Sequence, residues 1–196
     1  MRSRAGLLPA GSLVFVGALA LALALAGSGP AGDGRGPARS TFSLEQARTF
    51  DEFPLYNAGD RVEGLPLVSV LRRNDTASYV SFVYGDCVAS DDAGCAPPVE
   101  IQVWPACRRN LELYDSAQAG GPLPERVVTR GVPAAFFEEG TRLELQTGRS
   151  TVVVFAESRV RALRIAAALR AVNAPVPAGE PLPPPTRGAS GDAMGC

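Results

Sequence analysis

The spacing of apolar and polar residues changes character several times along the chain. Leu13–Ala26 is an unbroken apolar run after an interruption at Pro9 and Gly11. Strand-like runs follow at Leu67–Arg73, Tyr79–Tyr84 and Val99–Trp104, then at Arg126–Thr129, Ala134–Phe137, Arg142–Gln146 and Thr151–Phe155. Gly131, Gly140 and Gly148 punctuate the last four, where turns need positive φ. Leu143 and Leu145 alternate with Arg142, Glu144 and Gln146, which predicts one buried face and one wet face. Thr151–Phe155 is uniformly apolar, as in a central strand covered on both faces.

Two helices bracket these strands. Ser43-Leu-Glu-Gln46 fits a capping box and starts a helix from Leu44 to about Phe50, before Pro54. Ser158 can cap a second helix from Arg159 to about Val172, with Ala162, Ile165, Ala166, Leu169 and Val172 on one arc and Arg161 and Arg164 outside it. Arg108–Asp115 reads as a helical turn. The pattern predicts an α+β fold: an antiparallel sheet of about six or seven strands with the C-terminal helix packed on one face. The domain covers residues 43–173, between a flexible Gly/Pro-rich linker at 27–42 and a disordered Pro-rich tail at 174–196. No internal repeat is present.

The N-terminal run, residues 1–26, reads as an export signal. Arg2 and Arg4 give a positive start, and Ala24 and Ala26 form the small-x-small arrangement that signal peptidase accepts, with cleavage after Ala26. A bilayer core needs about 20 apolar residues, so the run counted from Leu7 also allows a retained membrane anchor. No Cys directly follows the run to carry a lipid. The expected address is therefore extracytoplasmic, secreted or anchored by residues 7–26.

Export makes disulfides plausible for Cys87, Cys95, Cys107 and Cys196. If Tyr79–Tyr84 and Val99–Trp104 form a hairpin, Cys87 faces roughly Ala96, and a bridge to Cys95 crosses the connecting loop easily. Cys107 lies about 35 Å away along the strand by a rise of 3.3 Å per residue, beyond the reach of a disulfide. It stands alone or pairs with Cys196.

Composition narrows the chemistry. The chain has 196 residues, no His and a net charge of −1, and all 19 basic residues are Arg. The usual near-neutral acid/base group is missing, Arg cannot serve as a general base, and imidazole metal sites are excluded. Near-zero net charge argues against a nucleic-acid binder. Ser81 and Ser150 have no His with which to form a nucleophilic triad.

Several groups remain as candidates. Asp86, Asp91 and Asp92 crowd one loop and could offer oxygens to Ca²⁺, although their spacing matches solvated turn residues better. Glu138 and Glu139 precede Gly140; neighbours on a strand point to opposite faces, so the two carboxylates do not converge and read as a hairpin rim. Trp104 and Tyr84 are the aromatics chosen to face a ligand, with Phe136 and Phe137 as further cleft candidates. Arg108-Arg109 and the helix arginines could meet anionic lipid or cell-wall polymer.

Gly131-Val-Pro-Ala134, Leu143-Glu-Leu145, Val152–Val154 and Ala167-Ala-Leu169 together resemble a β-β-β-α module. That module occurs in the C-terminal part of exported and lipoprotein-like families of unknown function in Gram-positive bacteria and actinobacteria. The resemblance covers about 45 residues, with Leu145 where an aromatic often stands. It implies an extracytoplasmic module and carries no catalytic residue. The expected function is a non-enzymatic binding or interaction module without a cofactor, its partner an envelope protein, lipid or cell-wall polymer. The alternatives are a carboxylate-dependent hydrolase of envelope glycans and an extracytoplasmic sensor module.

Overall fold

The first helix begins as its sequence predicts. Ser43 Oγ accepts from the Gln46 amide at 3.0 Å, and Gln46 Oε1 accepts from the Ser43 amide at 2.7 Å. This capping box opens α1, Leu44–Thr49, which ends where Phe50 turns extended. The structure is a computed structural model that describes residues 39–74, 78–86, 96–112 and 124–186. The leader with Ala24 and Ala26 lies outside the described residues, as do Cys87, Cys95 and Cys196. No described helix is long and apolar enough to cross a membrane.

The strands are β1 Arg39–Thr41, β2 Tyr56–Asn57, β3 Arg61–Val62, β4 Leu65–Arg73, β5 Tyr79–Tyr84, β6 Val99–Pro105, β7 Glu125–Thr129, β8 Val132–Phe137, β9 Arg142–Thr147, β10 Ser150–Ala156 and β11 Arg170–Ala171. A 3₁₀ turn, Glu138–Gly140, links β8 to β9, and helix α2 spans Arg159–Ala168. Eight strands lie side by side in the order β1-β4-β5-β6-β10-β9-β8-β7, all antiparallel, with β3 paired to β4. A separate two-stranded ribbon joins β2 to β11. The sheet is thus larger than the expected six or seven strands. The extra strands are too short to carry an alternation signal: β1 is held by the far end of β4, and β3 by the start of β4 across a tight turn. Arg39–Thr41, expected within the linker, pairs instead with Leu71–Arg73.

One face of the sheet carries the main core. Val80, Phe82, Tyr84, Val99, Ile101, Val103, Leu143, Leu145, Val152 and Val154 are buried there under α2 and the Phe50–Ala58 segment. Ala162, Ile165 and Ala166 turn inward from α2, on the arc the sequence shows. The helix stops at Ala168, one turn before the expected Val172. Leu169 adopts φ −56, ψ 136, which redirects the chain into β11 against β2.

Beyond β11 the chain is packed as far as Thr186, which corrects the expectation of a disordered tail from residue 174. Asn173 staples the start: its Oδ1 accepts from the Leu55 amide at 2.7 Å, and its Nδ2 donates to Phe50 O and Phe53 O. Leu182 is buried in the core, and its amide donates to Arg130 O at 2.9 Å. The Gly148 amide donates to Pro183 O at 3.1 Å, and the Thr186 amide donates back to Gly148 O at 2.9 Å. Residues 173–186 therefore form a strap across the turn ends of β7–β8 and β9–β10. Proline lacks an N–H but keeps its carbonyl, so a Pro-rich segment binds a sheet end as an acceptor.

Charged turn residues tie the layers together. Glu63 at the β3–β4 turn has a left-handed φ of 47 and pairs with Arg161 and Arg164 of α2. The Arg164 guanidinium, aided by Arg161, holds its carboxyl below the usual range. Arg130 and Gly131 form the β7–β8 turn with φ of 51 and 79, the two positive values of a type I′ turn.

Candidate functional site

The alternation of β6 sets up two different surfaces. Val99, Ile101 and Val103 enter the core, while Glu100, Gln102 and Trp104 stand half-buried on the opposite face. Antiparallel register extends that face as a row: Ser81, Gln102, Val153, Glu144 and Ala135 are successive neighbours on β5, β6, β10, β9 and β8. Trp104 stacks on Tyr79, with ring centroids 4.4 Å apart. Its Nε1 donates to Gln102 Oε1 at 3.1 Å. Gln102 Nε2 donates to Glu100 Oε1 at 2.9 Å, and Ser81 Oγ donates to the same oxygen at 2.6 Å. This ordered polar ladder borders a cavity of about 90 Å³ that Leu71, Arg73, Tyr79 and Val83 help to line. That volume has room for several waters or one small polar group of a larger ligand.

At the other end of the row Glu144 is fully buried. Arg109 grips both of its oxygens: Nε donates to Oε2 at 3.0 Å, and Nη2 pairs with Oε1. Arg142 Nε lies 3.2 Å from Oε1, close enough for an ion pair but without hydrogen-bond alignment. The Arg109 guanidinium also sits 5.0 Å above the Trp104 ring, and Arg142 sits 4.5 Å above Phe137. The Ala106–Leu111 segment folds back over this face to deliver Arg109. Thr151 Oγ1 donates to Arg109 O, Arg126 Nη2 donates to Leu111 O at 2.7 Å, and Asn110 and Leu111 are buried. The expected wet face of β9 is therefore covered. Arg109 is turned inward onto Glu144, so the pair Arg108-Arg109 does not present two solvent-facing charges.

The two aromatics chosen from sequence are separated by the sheet. Trp104 belongs to the polar face, whereas Tyr84 is fully buried in the main core. The Tyr84 hydroxyl accepts from the Ala58 amide and donates to Gly59 O, both at 2.9 Å. Burial pushes its pKa well above the ordinary tyrosine value, against the opposing effect of the Ala58 hydrogen bond. Its role is to brace the β2–β3 loop and not to face a ligand. Tyr84→Phe is expected to cost about 2 kcal/mol by leaving buried backbone groups unpaired, read as a shift in urea midpoint at constant slope.

The remaining candidates separate in the same way. Ser150 Oγ donates to Pro54 O at 2.6 Å, and Ser81 Oγ is committed to Glu100. Phe136 is in the core beneath the Arg159 guanidinium. Glu138 and Glu139, expected at a hairpin rim, occupy the 3₁₀ turn between β8 and β9 with φ of 50 and 56. Glu138 pairs with Arg142, and Thr141 caps its carbonyl. Asp86 is exposed, while Asp91 and Asp92 lie outside the described residues, as do Cys87 and Cys95, between which a bridge is expected. Among the described residues no cluster of three His, Cys, Asp or Glu side chains is placed to hold a metal. Cys107 is disulfide-bonded and so does not stand alone. Neither the Glu144–Arg109 pair nor the Trp104–Gln102–Glu100–Ser81 ladder was singled out in the sequence. The period-2 pattern of β6 was the signal available for the ladder. Compared with protein-family models, with curated proteins and with solved structures, the chain finds no match.

Proposed function

We propose that this chain is an extracytoplasmic binding module, released or membrane-tethered, that takes a hydroxyl- and amide-bearing cell-wall polymer on the Trp104 face of its sheet. The carrying observation is the pre-set ladder Trp104–Gln102–Glu100–Ser81 beside a small cavity. The half-buried indole, packed against Tyr79 and the Arg109 guanidinium, offers its remaining apolar edge to a sugar, and the amide and carboxylate offer directional partners to its hydroxyls. Each polar group is already oriented by its neighbour, so little side-chain freedom is lost on binding. The leader, the lack of His and Lys, and the disulfide-bonded Cys107 support the address and the non-catalytic role.

Trp104 is the only tryptophan in the chain, so its fluorescence reports on the site directly. Titration with soluble cell-wall glycan fragments is expected to shift its emission saturably. Glu100→Gln is expected to weaken binding about tenfold, equivalent to about 1.4 kcal/mol. An emission spectrum that no fragment changes would remove the reading.

A second reading rests on Glu100 and Glu144 sharing this face, since a carboxylate-dependent glycan hydrolase needs two such groups across a cleft. Against it, both oxygens of Glu144 are held by Arg109 away from solvent. Chain-length analysis of the fragments after incubation separates the two: intact fragments support binding, and shortened fragments support hydrolysis.

A further inference from the structure

A second cavity forms where α1 meets the two-stranded ribbon. Leu44 and Arg48 are four residues apart in α1 and share one side of it. In the ribbon, Arg170 of β11 stands directly opposite Asn57 of β2, so their side chains leave the same face. With Asp60 and Val172 these residues line a cavity of about 200 Å³, which shares no residue with the cavity beside Trp104.

This cavity holds donors without acceptors. Arg48 makes no hydrogen bond or ion pair among the described residues. The acidic group within ion-pair range of Arg170 is Asp60, whose Oδ1 lies 4.0 Å from Nη2, too far for a hydrogen bond. Each guanidinium therefore keeps its N–H donors for a ligand. Asn57 is 4 % exposed. Its Oδ1 accepts from the Gly59 amide at 2.9 Å, which fixes the way its amide group points. Nδ2 is left with no partner among the described residues and opens on the cavity that Asn57 lines. Such a donor gains more from an arriving anion than an exposed one would.

The backbone beneath these groups is fixed. The Tyr84 hydroxyl clamps Ala58 and Gly59 from the core, and the Val172 amide donates to Leu55 O at 2.8 Å. Gly59 has a φ of 88, and a Cβ there would stand 2.5 Å from Arg170 Nη2. Glycine thus lets the guanidinium lie against the loop. Arg48 and Arg170 against Asp60 leave one positive charge in excess. That balance matches a carboxylate, whereas a phosphate group carries about −1.5 to −2 and meets Asp60 as well. The planar guanidinium fork also suits a carboxylate.

We propose that this cavity binds the carboxylate of a small organic acid, gripped by Arg48, Arg170 and Asn57 Nδ2, with an apolar substituent against Leu44 and Val172. A free peptide C-terminus and a short-chain acid share this chemistry. The proposal does not depend on what the Trp104 face binds.

Calorimetric titration of the full chain with N-acetylalanine, propionate and inorganic phosphate tests it. Saturable binding of a carboxylate is expected with a Kd of about 1 mM, and phosphate is expected to bind at least about tenfold more weakly. Tighter binding of N-acetylalanine than of propionate identifies a peptide end, and the reverse identifies a simple acid. Asn57→Asp keeps the acceptor for Gly59 but sets a carboxylate where the donor was. Arg48→Gln changes an exposed side chain of α1. Each is expected to weaken carboxylate binding about tenfold at an unchanged urea midpoint; if Asn57→Asp lowers the midpoint, Arg48→Gln decides. No saturable heat from either acid, phosphate binding as tight as theirs, or full affinity in Arg48→Gln would overturn the proposal.

Discussion

Glu144→Ala is expected to lower stability by about 3 kcal/mol, or about 6–12 °C in Tm, because it strands the Arg109 guanidinium on a covered sheet face. The carboxylate is fully buried, and it receives Arg109 on both oxygens and Arg142 at 3.2 Å. Removing one partner of such a pair costs more than the pair contributes, since the survivor keeps its desolvation penalty. Arg109 retains some exposure at 17 % of its side chain, so water relieves part of that penalty and holds the loss near the lower end of the usual range. The double variant Arg109→Met, Glu144→Leu supplies the control. It replaces both charges with apolar volume and is expected to recover most of the loss. Chemical denaturation of the wild-type, single and double variants measures the coupling. A loss in the double variant equal to the sum of the losses in Arg109→Met and Glu144→Leu alone would show that the charges are not coupled.

Arg130→Ala is expected to cost about 3 kcal/mol and to loosen the strap selectively. Nε of Arg130 donates to Glu180 O at 2.8 Å, Nη2 to Pro177 O at 3.2 Å, and Nη1 to Leu169 O at the end of α2. One guanidinium thus joins the β7–β8 turn, the helix end and the strap. Burial pulls its pKa below the ordinary value, with Tyr56 and Glu180 opposing. Hydrogen bonds from charged donors contribute about 1.5–3 kcal/mol each, and those to exposed carbonyls are partly replaced by water. The residue also holds a left-handed φ of 51, which costs an arginine about 1 kcal/mol relative to glycine. Arg130→Gly should therefore be less damaging than Arg130→Ala by about that amount, although it loses the same donors. Amide exchange would locate the effect: Leu182 and Gly148 are expected to lose protection, while the β5 and β6 amides keep theirs. Unchanged protection at Leu182 would show that the strap does not depend on Arg130.

The parts legible in the sequence are those with a local cause. The Ser43 capping box, the seven longer strands, the glycine turns and the inner arc of α2 each follow from residues close together in the chain. The misreadings have non-local causes. Arg39–Thr41 forms a strand only because β4 offers an edge, and α2 stops early because β2 accepts β11. Glu144 alternates like a solvent-facing residue, and alternation carries no information that Ala106–Leu111 returns to cover it. Composition describes residues 174–186 as unpacked because it registers missing donors but not the proline carbonyls that Gly148 and Arg130 use. For the candidate site, Trp104 was legible as a strand aromatic. Which face it shares, and with what, required the register with β5 and β10.

The order of strands has a consequence for how the chain reaches this state. β4, β5 and β6 are neighbours both in sequence and in the sheet, and so are β7, β8, β9 and β10. Each set is a meander that can zip up from its own turns at small entropic cost. The two meet along a single seam, where Ser150–Ala156 lines up against Pro105–Val99. That seam joins segments more than forty residues apart at its closest pair, so it carries the largest loop-closure penalty in the central sheet. Docking of the two meanders along this seam is therefore the step expected to limit assembly of the whole sheet.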